Sequence, residues 1–182
     1  MAGTALLVMD IQNGIVGRFG EDSGYLPHLR RAIDAARAAD LPVIFVRVGF
    51  RENYPEVSSR NKAFAAVAQY GGFTADALEI APEVAPEPGE IVVTKRRVSA
   101  FTGSDLDVVL RAADVDTLVL TGISTSGVVL STLRQAADLD FGITVLSDGC
   151  LDQDEEVHRV LVEKVFPRQA DVITIDTWIE KL

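Results

Sequence analysis

Ala5-Leu6-Leu7-Val8-Met9-Asp10 is an unbroken apolar run stopped by an acid. A strand with one wet face alternates apolar and polar side chains. A run that is apolar at every position belongs to a strand buried on both faces. Strands of that kind make parallel sheets with helices packed on either side, so this stretch points to a layered α/β fold. Similar runs recur at Pro42-Val43-Ile44-Phe45-Val46, Ile91-Val92-Val93-Thr94-Lys95, Thr117-Leu118-Val119-Leu120-Thr121, Ile143-Thr144-Val145-Leu146 and Val172-Ile173-Thr174-Ile175. Helical spacing separates them. Leu26, Leu29, Ile33 and Ala36 share one face, and a short helix is expected around Asn61 to Gln69. Ser104 is placed to cap a helix running to Ala113, with Asp105 and Asp107 in its first turn. Further helices are expected over Ser126 to Asp138 and Asp154 to Val165. The expected architecture is a Rossmann-like three-layer α/β/α sandwich around a doubly wound, six-stranded parallel sheet. Ligands of such sheets bind beyond the carboxyl ends of the strands.

The chain of 182 residues is 48% hydrophobic and 24% charged, the balance of a folded globular protein. We read residues 1–182 as one domain, without repeat, linker or low-complexity tract. Asp and Glu number 27 against 17 Lys and Arg, a formal net charge of -10. That excess repels phosphate backbones and anionic lipid, so neither nucleic acid nor membrane is an expected partner, and solubility alone accounts for it. Cys150 is the only cysteine, which leaves no internal disulfide. Met1-Ala2-Gly3-Thr4 carries no basic region, and Asp10 ends the apolar run well short of a signal-peptide core or a spanning helix. The cytoplasm is the expected location.

The familiar chemical signatures are missing. No strand is followed by G-x-G-x-x-G, and no G-x-x-x-x-G-K-[ST] occurs, so dinucleotide and P-loop sites have no support. His28 and His158 are the only histidines, each within an expected helix, which leaves little material for a metal site or a histidine-based triad. Gly122-Ile123-Ser124-Thr125-Ser126-Gly127 has the look of a nucleophile elbow but lacks the glycine at its fifth position. Asp10 ends a first strand as in aspartate-based phosphatases, yet Gln12 stands where their second acid would be. Polar groups do gather at three strand ends: Asp10, Lys95 and the loop Gly122 to Gly127. Taken singly, these are a loop acid, a surface lysine and an ordinary βα turn. The turn also presents backbone N–H groups at a helix start, where an anion or oxyanion would be received.

Leu6-Leu7-Val8-Met9-Asp10-Ile11-Gln12-Asn13, then Lys95-Arg96-Arg97-Val98-Ser99-Ala100-Phe101-Thr102-Gly103-Ser104-Asp105-Leu106, then Thr121-Gly122-Ile123-Ser124-Thr125-Ser126-Gly127 resemble, in that order, the isochorismatase-like superfamily. This superfamily holds cysteine hydrolases such as nicotinamidase together with the isochorismatases, and the resemblance covers nearly the whole chain. It implies that Asp10 is the acid/base and Lys95 its cationic neighbour. It implies a cis peptide between Ile123 and Ser124, aiming the N–H groups of Ser124 and Val128 into an oxyanion hole. It also implies a homodimer or homotetramer.

The departure from the pattern is Val128, which stands where the cysteine hydrolases place their thiolate. Valine cannot attack a carbonyl, so acyl-enzyme chemistry has lost its nucleophile. Cys150, expected just after the fifth strand, is read as a small buried thiol. The metal ligands that nicotinamidases carry after their second strand are absent from Arg47-Val48-Gly49-Phe50-Arg51. Neither metal nor cofactor is therefore expected. The members that hydrolyse the vinyl ether of isochorismate also lack the cysteine and keep the Asp and Lys. Their chemistry needs a general acid and water. Asp10 would serve, with a substrate carboxylate on Lys95 offsetting the pull of that cation on its pKa.

Gln12, Phe19, Phe50, Tyr54 and Phe101 are candidate pocket residues, and ordinary core or loop roles account for the aromatics equally well. Arg47, Arg51 and Asn61 are candidate anion contacts or a solvated loop. The leading expectation is a hydrolase of a small polar metabolite, cofactor-independent and non-covalent, with Asp10 and Lys95 as its machinery. The rivals are an amidase-like enzyme in which Asp10 activates water, and a non-catalytic binding or assembly homologue.

Overall fold

Successive side chains of a strand point to opposite faces, and β1 (Gly3–Met9) buries both. Ala5, Leu7 and Met9 enter one hydrophobic cluster, while Leu6 and Val8 enter another. β2 (Val43–Val48) divides in the same way, with Ile44 and Val46 on the first side and Val43 and Phe45 on the second. The computed structural model describes residues 3–19, 24–69 and 74–182. Its sheet is completed by β3 (Ile91–Lys95), β4 (Val115–Ile123), β5 (Gly142–Leu151) and β6 (Asp171–Ile173). All pairings are parallel, in the order β3-β2-β1-β4-β5-β6. This is the doubly wound fold expected from the apolar runs.

The helices are α1 (Asn13–Val16), α2 (Tyr25–Ala38), α3 (Lys62–Gln69), α4 (Ala75–Leu78), α5 (Leu106–Ala112), α6 (Leu130–Asp138), α7 (Glu155–Val160) and α8 (Ile175–Ile179). Leu106 and Leu110 of α5 and Leu133 and Ala136 of α6 cover one face of the sheet. Leu29, Ala32, Ile33 and Ala36 of α2, with Trp178 of α8, cover the other. Among the described residues no helix is long and apolar enough to cross a membrane.

Several boundaries differ from the expectation. β5 runs on to Leu151, so Cys150 lies inside it, opposite Gly122, and not beyond it. The last strand stops at Ile173 because the Thr174 hydroxyl accepts the Thr177 N–H and caps α8. Ser104 accepts the Leu106 N–H at 3.3 Å and donates to the Ala100 carbonyl at 2.6 Å, but α5 starts only at Leu106, which puts Asp105 and not Ser104 at the N-cap position. The helices expected from Ser126 and up to Val165 each contain a π-helical turn, Thr125–Val129 and Leu161–Val165.

The winding direction reverses between β1 and β4, which leaves a crevice beyond their carboxyl ends. Gly122 closes that seam. Its φ is +148°, and a Cβ there would stand 2.4 Å from the Met9 carbonyl oxygen, so only glycine lets the strands approach.

Candidate active site

Asp10 follows directly on β1 with φ 59°, a left-handed conformation that Asp tolerates better than most residues. Its N–H still donates to the Val46 carbonyl at 2.8 Å, holding the turn against β2. Lys95 ends β3, two strands away, and its register partner on β2 is Val48. The side chain reaches across, and its Nζ lies 2.9 Å from Asp10 Oδ2. Both residues are buried, Lys95 to 2% exposure. The ammonium also donates to the carbonyls of Arg97, at 3.0 Å, and Val98, at 2.9 Å. An ammonium has three protons, so with Asp10 all are engaged.

Burial dominates the acid's titration. It pushes the Asp10 carboxyl up to about 6, against the opposing pull of the Lys95 cation and its hydrogen bond. The second oxygen, Oδ1, is buried without a hydrogen-bond partner among the described residues. A carboxyl proton is therefore best accommodated on Oδ1, because Oδ2 already accepts from Lys95.

The pair opens into a pocket of about 450 Å³ at the sheet's carboxyl edge. Ile123, Ser124, Ser126, Gly127 and Val128 form one wall, and Phe19, Phe64 and Val67 lie among its apolar lining. The Ile123-Ser124 peptide is cis, as the resemblance implied. Gly127 and Val129 donate back to the Ser124 carbonyl at 3.1 and 3.3 Å. Two outside contacts hold this turn. Asp152 Oδ2 accepts the Ser126 N–H at 2.7 Å, and Thr125 Oγ1 meets His158 Nδ1 at 2.8 Å. Val128 is 2% exposed and lines the same pocket as Asp10 and Lys95.

Four of the expected pocket residues have other places. Gln12 is buried and fully used by backbone: its Nε2 donates to the carbonyls of Val48 and Leu78, and its Oε1 accepts the Val48 N–H. It is a clamp between the ends of β1 and β2. Phe101 packs into the core against Phe141, with ring centroids 5.9 Å apart. Phe50 sits behind Phe64 at 5.3 Å and carries Tyr54 at 5.7 Å, so both support the pocket wall from outside the lining. Only Phe19 lines it as expected. Arg51 pairs with Glu56, Arg47 reaches Glu79, and Asn61 accepts the Phe64 N–H at the start of α3. Arg18, Phe64, Val67, Asp152 and Gln153 line the pocket without having been singled out, and Val98 and Ser126 line it from within the segments that carry the family resemblance.

The remaining candidates are accounted for by packing. Cys150 is buried and its thiol is pushed up to about 12, chiefly by burial. His28 binds Asp148 at 2.8 Å. Among the described residues no group of three or more His, Cys, Asp or Glu is placed to hold a metal ion.

A profile of the isochorismatase domain matches residues 4–177. The chain belongs to the isochorismatase family. It is 31% identical over 179 residues to the uncharacterized isochorismatase family protein YwoC of Bacillus subtilis (strain 168), covering 98% of this chain and 94% of that protein. It is 32% identical over 202 residues to the ureidoacrylate amidohydrolase RutB of Stutzerimonas stutzeri (strain A1501), covering 96% of this chain and 77% of that protein. The solved structure of N-carbamoylsarcosine amidase from Thermoplasma acidophilum superposes with a TM-score of 0.78 at 27% identity, over 96% of this chain and 97% of that one. Isochorismatase-family proteins of this kind are hydrolases, and the similar proteins include amidohydrolases.

Proposed function

We propose that this isochorismatase-family hydrolase cleaves a small polar metabolite without a covalent intermediate, Asp10 acting as general acid. One observation carries the reading. A buried carboxyl with a pKa near 6 and one unpartnered oxygen faces a pocket that Val128, which we read as standing in place of the family's cysteine, also lines. Such a group is poised to hold and transfer a proton close to neutrality.

The chemistry that suits this set is vinyl-ether hydrolysis. Asp10 Oδ1 gives its proton to the terminal carbon of the enol ether, and the ether oxygen's electrons form an oxocarbenium ion. Water adds to the cationic carbon and returns a proton to Asp10. The resulting hemiketal collapses to a carbonyl compound and an alcohol. No enzyme nucleophile is required. Lys95 holds Oδ2 in place and stabilises the carboxylate left behind after transfer. The acid needs no substrate carboxylate on Lys95 to raise its pKa, since burial already outweighs the cation.

A second reading is supported by the amidohydrolases among the similar proteins. Here Asp10 is the base that activates water, and the backbone at Ser124 and Val128 receives the oxyanion. Incubating wild type and Asp10→Asn with isochorismate and with simple amides separates the two. Turnover of isochorismate by wild type, lost in Asp10→Asn, is the expected result. Amide turnover alone would install the second reading, and turnover of neither would leave a binding role.

A further inference from the structure

Two cations line the pocket, and one of them is spent. Lys95 gives all three ammonium protons to Asp10, Arg97 and Val98, so it has none left for a ligand. Arg18, on the segment after α1, lines the same pocket and is exposed. Its guanidinium has no hydrogen-bond or ion-pair partner among the described residues. The other acid of the lining, Asp152, has its Oδ2 bound by the Ser126 N–H at 2.7 Å and its Oδ1 3.4 Å from the Asp154 N–H. Among the described residues the charges around the cavity are thus Asp10 paired with Lys95, Asp152 engaged with backbone, and Arg18 unanswered.

We infer that Arg18 receives a carboxylate of the substrate, so that the preferred substrates are small organic acids with an apolar body. The inference rests on the reading of this pocket as the substrate site. A guanidinium offers two parallel N–H groups that match the two oxygens of a carboxylate. Phe19, Phe64 and Val67 give the rest of the molecule apolar wall to lie against. With the carboxylate on Arg18, the reacting end is left for Asp10.

Benzoate and benzamide, alike in shape and different in charge, test this without requiring turnover. Their dissociation constants are measured by titration calorimetry or by ligand-observed NMR on wild type, Arg18→Gln and Arg18→Lys. Wild type should favour benzoate by about tenfold or more, in the range of a charge-assisted hydrogen bond. Arg18→Gln should lose that preference while benzamide binding stays the same, and Arg18→Lys should keep part of it. A preference that survives in Arg18→Gln overturns the inference. So does a wild type that favours neither ligand, or binds neither. Asp10→Asn keeps the outcomes apart: it should retain or strengthen the benzoate preference. A charge preference that depends on Arg18, in a protein that hydrolyses nothing, would sink the catalytic reading and leave this one standing.

Discussion

Asp10→Asn asks whether burial or the Lys95 cation governs the acid, and stability against pH answers it without a substrate. The carboxyl moves from 3.8 in the open chain to about 6 in the fold. That gap corresponds to roughly 3 kcal/mol between the two protonation states. Because the folded pKa is the higher one, the folded state holds the proton more tightly. The contribution is complete below the unfolded pKa and is lost as pH rises through about 6. Asparagine does not titrate, whereas every other ionisable group is common to both proteins and cancels in the comparison. Between about pH 5 and 7, wild type should therefore lose roughly 1 kcal/mol relative to Asp10→Asn. For a chain of this length that is roughly 2–4 °C in Tm. Thermal unfolding followed by circular dichroism, at several pH values and one ionic strength, gives the difference directly. A difference that is flat with pH, or wild type gaining on the variant as pH rises, would mean that the ion pair outweighs burial, and the argument for a protonated Asp10 would fail.

The other expectations use the same site. If Asp10 is the acid, kcat/KM for the hydrolysed substrate should be level below about pH 6 and fall tenfold per unit above it; a profile that rises through that range assigns Asp10 as a base. Val128→Cys in a Cys150→Ala background should fold with a loss of about 1 kcal/mol or less and yield a thiol that alkylates at neutral pH. An apparent thiol pKa near the ordinary value of about 8.5, read from alkylation rate against pH, would show that position 128 does not sense the Asp10–Lys95 pair. Gly122→Ala should cost about 2–3 kcal/mol, since its Cβ meets the Met9 backbone and its φ is positive; a Tm unchanged from wild type would mean that the seam between β1 and β4 has slack.

Much of the molecule could be read from the chain because the signals are local. A strand buried on both faces must be apolar at every position, so the inner strands announced themselves and with them the parallel sheet. The ends of those strands then carried Asp10, Lys95 and the turn after Gly122 to one edge. Val128, a fixed distance along that turn, lines the pocket at the same edge. What the sequence left open depends on contacts between distant segments. Gln12 becomes a clamp because backbone groups of Val48 and Leu78 arrive beside it. His158 reads as a helix histidine until α7 brings it to Thr125. Polar Ser147, Asp148 and Gly149 end the apolar run, yet β5 continues past them to Leu151. An aromatic's apolarity does not say which way it faces, and so Phe101 went to the core while Phe64 reached the pocket. The same limit applies to charge. That Lys95 is saturated while Arg18 has no partner among the described residues follows from where backbone carbonyls stand in three dimensions, and residue type alone does not encode it.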